Sequence, residues 1–231
     1  MSTAPPVHLR TVRSFVRRGG RVTDAQARSL GELWPRYGVD YSAQPLDLDL
    51  LYGRSAPRTL EIGFGNGEHL ATRAAAEPGR EFLGVEVHNS GVGQLLNAAA
   101  GSNLANLRVI CHDAVEVLAA QIRPGALDEV QILFPDPWPK KRHHKRRLIQ
   151  PEFAALVASR LGASGRLLLA TDWAPYAEHM RTVLDACASL QPLDGAAQGE
   201  AAHASRAPTR FERRGQRLGH AVTDLAYVRR S

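Results

Sequence analysis

From Arg58 onward the chain alternates short apolar runs with helix-patterned stretches, and this alternation constrains the fold more than any other feature. Residues 58–64, 82–87, 107–112, 129–134 and 166–170 read as strands. Helices are predicted between them, ending near residues 76, 100 and 121, and over 152–161 and 176–190. The strands are near-continuous apolar runs rather than in–out alternations, as expected of strands covered on both faces. Repeated βα units of this kind imply an α/β architecture, a Rossmann-like, doubly wound parallel sheet. A last strand is predicted over 221–229, and the Ala-, Gly- and Gln-rich tract from 191 to about 207 reads as a mobile loop. Upstream, Thr23 and Gln26 form a T-x-x-Q capping box that opens a helix running through Leu33. The expected organisation is a basic arm and helix over 1–57 and one compact unit over 58–231.

The first predicted strand runs into Glu61-Ile62-Gly63-Phe64-Gly65-Asn66-Gly67. Glycines between a strand and a helix permit a tight turn and let a ligand approach the backbone. A plain turn accounts for G-x-G-x-G equally well. The dinucleotide pattern needs a glycine at position 68, where Glu68 stands, and an anion at that helix start opposes a pyrophosphate. Glu86 closes the second strand, 23 residues after Gly63, near the offset at which an acid accepts from ribose hydroxyls. Asp113 closes the third and can accept from an adenine amino group. Glu61 sits where a carboxylate can face a cationic amino-acid tail. Taken singly, these acids read as strand-end caps. Taken together with the glycines, they suit a nucleoside carrying a positive charge. That points to S-adenosyl-L-methionine and a class I methyltransferase core, with a nicotinamide enzyme as the alternative.

The fourth predicted strand leads into Phe134-Pro135-Asp136-Pro137-Trp138-Pro139, where three prolines stiffen the loop around Asp136 and Trp138. A carboxylate beside an aromatic ring suits a base drawn out of its stack. A rigid turn with a capping aspartate is the bland reading. Directly after it comes Lys140-Lys141-Arg142-His143-His144-Lys145-Arg146-Arg147. Residues 1–23 and 139–150 together hold eleven of the 29 Lys and Arg residues and none of the 23 acids, leaving the rest of the chain at −5. Cations concentrated in this way suit a polyanion such as RNA, or form solvated charge runs. No apolar run approaches a membrane span. Cys111 and Cys187 are the only cysteines and form no CxxC pair, which favours a reducing, cytoplasmic setting. Neighbouring His143 and His144 in so cationic a loop are poor ligands for a dication, so no metal is expected.

The stretch Phe134 to Arg147 resembles the hallmark F-P-D-P-W-x-K-x-R-H-x-K-R-R of the bacterial tRNA (guanine-N7-)-methyltransferase family. Arg13 to Arg18, the L-E-I-G-F-G-N-G loop and Thr209 to Gly215 are similar to that family's arm, cofactor loop and C-terminal motif. The resemblance implies methylation of guanine 46 in the tRNA variable loop. It implies cofactor contacts from Glu61, Glu86, Asp113 and Asp136, with Asp136 as the active-site residue. It implies substrate contacts from Lys140, Asp172, Thr209, Arg210, Phe211 and Glu212, and RNA contact from Arg142 to Arg147. A non-catalytic RNA-binding protein on such a core and an amino-methyltransferase acting on DNA or protein are the competing readings.

Overall fold

The computed structural model describes residues 12–15, 23–193 and 221–230. Helix α1 (Asp24–Tyr37) starts at the expected capping box: Thr23 Oγ1 accepts from the Gln26 N–H at 3.2 Å, and Gln26 Oε1 accepts from the Thr23 N–H at 3.0 Å. It runs one turn beyond the expected end, through Pro35. Tertiary anchoring draws it on, because Tyr37 is fully buried and donates to the Ala99 carbonyl. A short helix that the sequence reading passed over, α2 (Leu48–Tyr52), is capped by Asp47 and closed by Gly53 in the left-handed region.

Seven strands follow: β1 (Arg58–Ile62), β2 (Glu81–Glu86), β3 (Leu107–Cys111), β4 (Leu127–Leu133), β5 (Leu161–Thr171), β6 (Leu190–Pro192) and β7 (Thr223–Arg229). They form one sheet in the order β3-β2-β1-β4-β5-β7-β6. Strands β1 to β5 are parallel, while β7 runs antiparallel between β5 and β6. The connecting helices are α3 (Glu68–Ala76), α4 (Asn89–Gly101), α5 (Ala114–Ala120), α6 (Pro151–Arg160) and α7 (Ala174–Asp185).

Strand side chains alternate between two cores. Phe82, Leu107 and Val109 face Tyr37, Leu70 and Leu95 of α1, α3 and α4. Leu83, Val85 and Ile110 share the other core with Val117, Val157 and Met180 of α5, α6 and α7. The sheet is therefore doubly wound, as the apolar strand runs imply. The largest differences in boundaries after α1 are these. Leu161 opens β5 instead of ending α6, and β5 carries a bulge between Leu161, paired with Leu127, and Arg166, paired with Glu129, with Ser164 at φ 59° inside it. Helix α7 stops at Asp185 rather than 190. The expected 191–207 loop begins inside β6, whose Leu190 to Pro192 pair with β7. Leu193 still donates its N–H to the Ala226 carbonyl of β7, and from residue 194 on the expected loop lies outside the described residues.

The chain leaves β1 to one side, for β2 and β3, and later returns to its other side as β4. This reversal of strand order opens a crevice at the carboxyl ends of the central strands, where α/β sheets bind ligands.

Candidate active site

A cavity of about 400 Å³ occupies that crevice, walled by residues that follow β1, β2, β3 and β4. The glycine loop forms its floor. Gly63, Gly65 and Gly67 all have positive φ, at 71°, 60° and 75°, and Gly67 is the N-cap of α3. A side chain at position 67 would enter Leu95, with a Cβ only 2.6 Å from that residue's Cβ. Helix α4 presses on the same loop through Gly91, where a Cβ would lie 2.0 Å from the Gly65 carbonyl oxygen. Gly91→Ala must therefore displace backbone. We expect it to weaken S-adenosylhomocysteine binding about tenfold by calorimetry, at an overpacking cost of about 1–3 kcal/mol. Gly101→Ala at the end of the same helix has nothing within 4 Å and serves as the control.

Glu86 ties the loop to β2. Its Oε2 accepts from the Gly65 N–H at 3.0 Å, and its Oε1 from the Val87 and His88 N–H groups at 2.7 and 3.1 Å. A carboxylate has about four acceptor directions, so about one is left for a ligand hydroxyl. Asp113 caps α5, accepting from the Val115 N–H at 2.9 Å. Burial pushes its carboxyl above the usual range, opposed by the Val115 hydrogen bond and assisted by the Glu116 charge. A ligand N–H aimed at it would favour the charged form. Glu61 is buried at the end of β1, with Oε2 2.9 Å from His69 Nδ1 on α3. Glu61, Gly63, Gly65, Glu86, Asp113 and Asp136 thus all line one cavity.

Asp136 stands exposed at the cavity's lip. The residues flanking its Pro-Asp-Pro unit, Phe134 and Trp138, are both left-handed, at φ 53° and 44°. Bulky residues rarely adopt that region, and such strain persists only where the surroundings over-determine it. Here the Phe134 N–H donates to the Ala170 carbonyl of β5, and the Trp138 indole N–H to the Ser14 carbonyl of the N-terminal segment. Arg146 stacks over the Trp138 ring at 5.0 Å.

The basic stretch is a 3₁₀ turn over Lys141–Arg146 rather than an irregular loop. Lys140, Lys141, Arg142 and Lys145 are exposed on it, and His143, His144 and Arg146 half-buried. Partial desolvation and the charges of Arg142, Arg146, Lys140 and Lys145 push the His143 imidazole below its usual range. Arg147 is placed differently from the RNA-facing position the resemblance implies. It is 2% exposed, donates to the Pro137 carbonyl at 3.0 Å and packs over the Tyr176 ring, so it braces the Asp136 loop from beneath. Asp172 is half-buried beyond β5 and not in the cavity wall, and the N-cap of α7 is Trp173. Thr209, Arg210, Phe211 and Glu212 lie outside the described residues.

His69 and His112 also line the cavity and were not singled out from the sequence, and Ser14 and Phe15 of the Arg13-to-Arg18 motif line it without having been assigned a place there. His112 stacks face to face on Tyr41 at 3.7 Å and pairs with Glu116. Its one legible sign is its place beside Asp113. Ser14 and Phe15 come from a segment that carries no periodic pattern. Among the described residues no His, Cys, Asp or Glu cluster could hold a metal, and no helix is long and apolar enough to cross a membrane.

The strand order and the acid-lined cavity at the tips of β1 to β4 define a class I S-adenosylmethionine-dependent methyltransferase. The 16S rRNA methyltransferase KamB superposes with a TM-score of 0.53 at 17% identity, over 95% of this chain and 99% of that one, which carries the fold. The family model described as "Putative methyltransferase" matches residues 55–225. A tRNA (guanine-N(7)-)-methyltransferase of Xanthomonas campestris pv. campestris is 55% identical over 96% of this chain and 85% of its own length. One of Sodalis glossinidius is 53% identical over 96% and 92%. The chain belongs to the tRNA (guanine-N7-)-methyltransferase family.

The donor set fits S-adenosylmethionine, the cofactor of this class: three carboxylates in one cavity suit hydroxyls, amino groups and a positive charge, and Glu68 in the first turn of α3 opposes a diphosphate.

Proposed function

We propose that this protein methylates N7 of guanine 46 in the variable loop of tRNA, in the cytoplasm. Glu86 accepts from the ribose hydroxyls of the cofactor, Asp113 from its adenine amino group, and Glu61 faces its cationic amino-acid tail. When bound, the cofactor supplies a sulfonium methyl group. Guanine N7 carries a free lone pair and no proton at neutral pH, so no residue need act as a base. The protein's task is to hold nucleophile and methyl in line, an effect that can contribute about 7–11 kcal/mol. Asp136 orients the guanine through its N–H donors and favours the positive charge that develops on the purine. The Phe134 and Trp138 strain, locked by β5 and the N-terminal segment, keeps that carboxylate in place.

The observation that carries this reading is the juxtaposition of Asp136, at the lip of the acid-lined cavity, with the exposed cations of the 3₁₀ turn beside it. The turn grips phosphates while the loop presents the base. Contact with about four phosphates predicts that tRNA affinity falls with salt at a log–log slope of roughly −3. A slope near zero would remove the turn from the interface. The activity is tested by incubating the protein with unmodified tRNA and a labelled methyl donor, then separating the nucleosides. 7-Methylguanosine from position 46 is expected. Label on an exocyclic amine, or none, overturns the reading.

A further inference from the structure

The cavity holds a buried carboxylate–imidazole pair that the transfer chemistry does not call for. Glu61 and His69 have side chains only 3% and 4% exposed, and Glu61 Oε2 lies 2.9 Å from His69 Nδ1. Both line the cavity, one from the tip of β1 and the other from the first turn of α3. The glycine loop between them, closed by Gly67 at the α3 N-cap, fixes their separation.

We infer that His69 is a positioning residue for the amino-acid tail of the cofactor, acting through Glu61. The inference rests on the reading that Glu61 faces that tail. An ionised carboxylate only accepts, so the imidazole Nδ1 carries the proton and donates it to Oε2. That hydrogen bond fixes the rotation of the carboxylate and leaves its remaining acceptor capacity to the cavity. A Glu61 without this partner must choose its rotamer when the ammonium arrives, and the ordering then weakens binding. Removal also leaves a buried anion short of a donor, which is costly in its own right. The effect is confined to the tail, because the nucleoside side of the cavity is built by Glu86 at the end of β2 and Asp113 at the N-cap of α5.

Two ligands separate this role from a merely structural one. S-adenosylhomocysteine carries the amino-acid tail; 5′-methylthioadenosine has the same nucleoside and thioether without it. His69→Phe fills the ring's volume but has no N–H. By calorimetry it is expected to weaken S-adenosylhomocysteine about tenfold and to leave methylthioadenosine unchanged. His69→Asn places an amide nitrogen where Nδ1 was, one atom from Cγ, and is expected to restore S-adenosylhomocysteine to within about twofold. Equal weakening of both ligands by His69→Phe, or no weakening of either, overturns the inference. Should the phenylalanine variant lose its cooperative thermal transition, His69→Leu is measured by the same criteria. Glu61→Gln keeps the two claims apart. If it abolishes the preference for the tailed ligand while His69→Phe does not, only the role of His69 falls. If it leaves that preference intact, the placement of Glu61 falls too.

Discussion

Replacement of Asp136 by asparagine is expected to lower kcat/KM for tRNA about 100-fold while leaving the fold intact. Asparagine keeps the shape of the side chain and one acceptor but removes the charge. During transfer, positive charge leaves sulfur and appears on the purine ring. A carboxylate about 4 Å from such a charge is worth about 4 kcal/mol at an effective dielectric of 20. Asp136 is exposed, so water reduces this, and about 2–3 kcal/mol remains, the scale of losing one preorganised electrostatic partner. Single-turnover methylation of unmodified tRNA, with S-adenosylhomocysteine affinity measured in parallel, separates loss of transition-state stabilisation from loss of cofactor. Unchanged turnover would mean that Asp136 acts by shape alone.

The same prediction explains why the loop is strained. A carboxylate that merely capped a turn would tolerate sliding by an ångström; one that lines up a base would not. Two aromatic residues in the left-handed region hold it, and three separate anchors oppose their relaxation: β5 through Ala170, the N-terminal segment through Ser14, and Arg147 through the Pro137 carbonyl.

This distribution of roles sets what could be read in the sequence. The parallel core was legible because strands buried on both faces are spelled out as apolar runs, and helix and loop lengths between them leave little freedom. The placement of Glu61, Glu86, Asp113 and Asp136 around one cavity was legible because each lies at or just past the carboxyl end of a strand, and the carboxyl ends of neighbouring parallel strands converge. Features that depend on chain reversal were not. The strand over 221–229 was legible as β7, but its antiparallel direction depends on pairing between distant segments, and the three-residue β6 is too short to show a period. Arg147 was grouped with its basic neighbours because charge count does not reveal which cation folds inward. Its burial is decided by Tyr176, 29 residues later on α7. His69 lies in the helix after the glycine loop, where polar residues are ordinary, and the bond to Glu61 is what the sequence does not show.

At the opposite, amino-terminal end of the sheet, Glu129→Ala is expected to destabilise the protein by about 3–5 kcal/mol, from a typical total of about 5–15 kcal/mol. Glu129 on β4 is fully buried. Its carboxylate takes Arg73 Nη1 at 2.6 Å, Arg166 Nη2 at 2.7 Å and Gln131 Nε2 at 3.0 Å. Burial alone would push the Arg73 guanidinium down, but the charge and hydrogen bonds of Glu129 and Glu77 together carry it above its usual value. Removing the carboxylate strands a cation whose side chain is only 8% exposed, and the remaining partner, Glu77, is itself half in water. The two arginines are not equivalent. Arg166 is 40% exposed, so Arg166→Ala leaves the Arg73–Glu129 pair intact and costs about 0–1 kcal/mol. Urea unfolding distinguishes the cases: a large fall in midpoint at unchanged slope for Glu129→Ala, and a small one for Arg166→Ala. Equal, small shifts for both would show that water reaches Glu129 and that the pair is no more than a surface contact. Because the network lies a strand's length from the cavity, the folded fraction of Glu129→Ala should bind S-adenosylhomocysteine with unaltered affinity. A loss of affinity there would instead couple the two ends of β4.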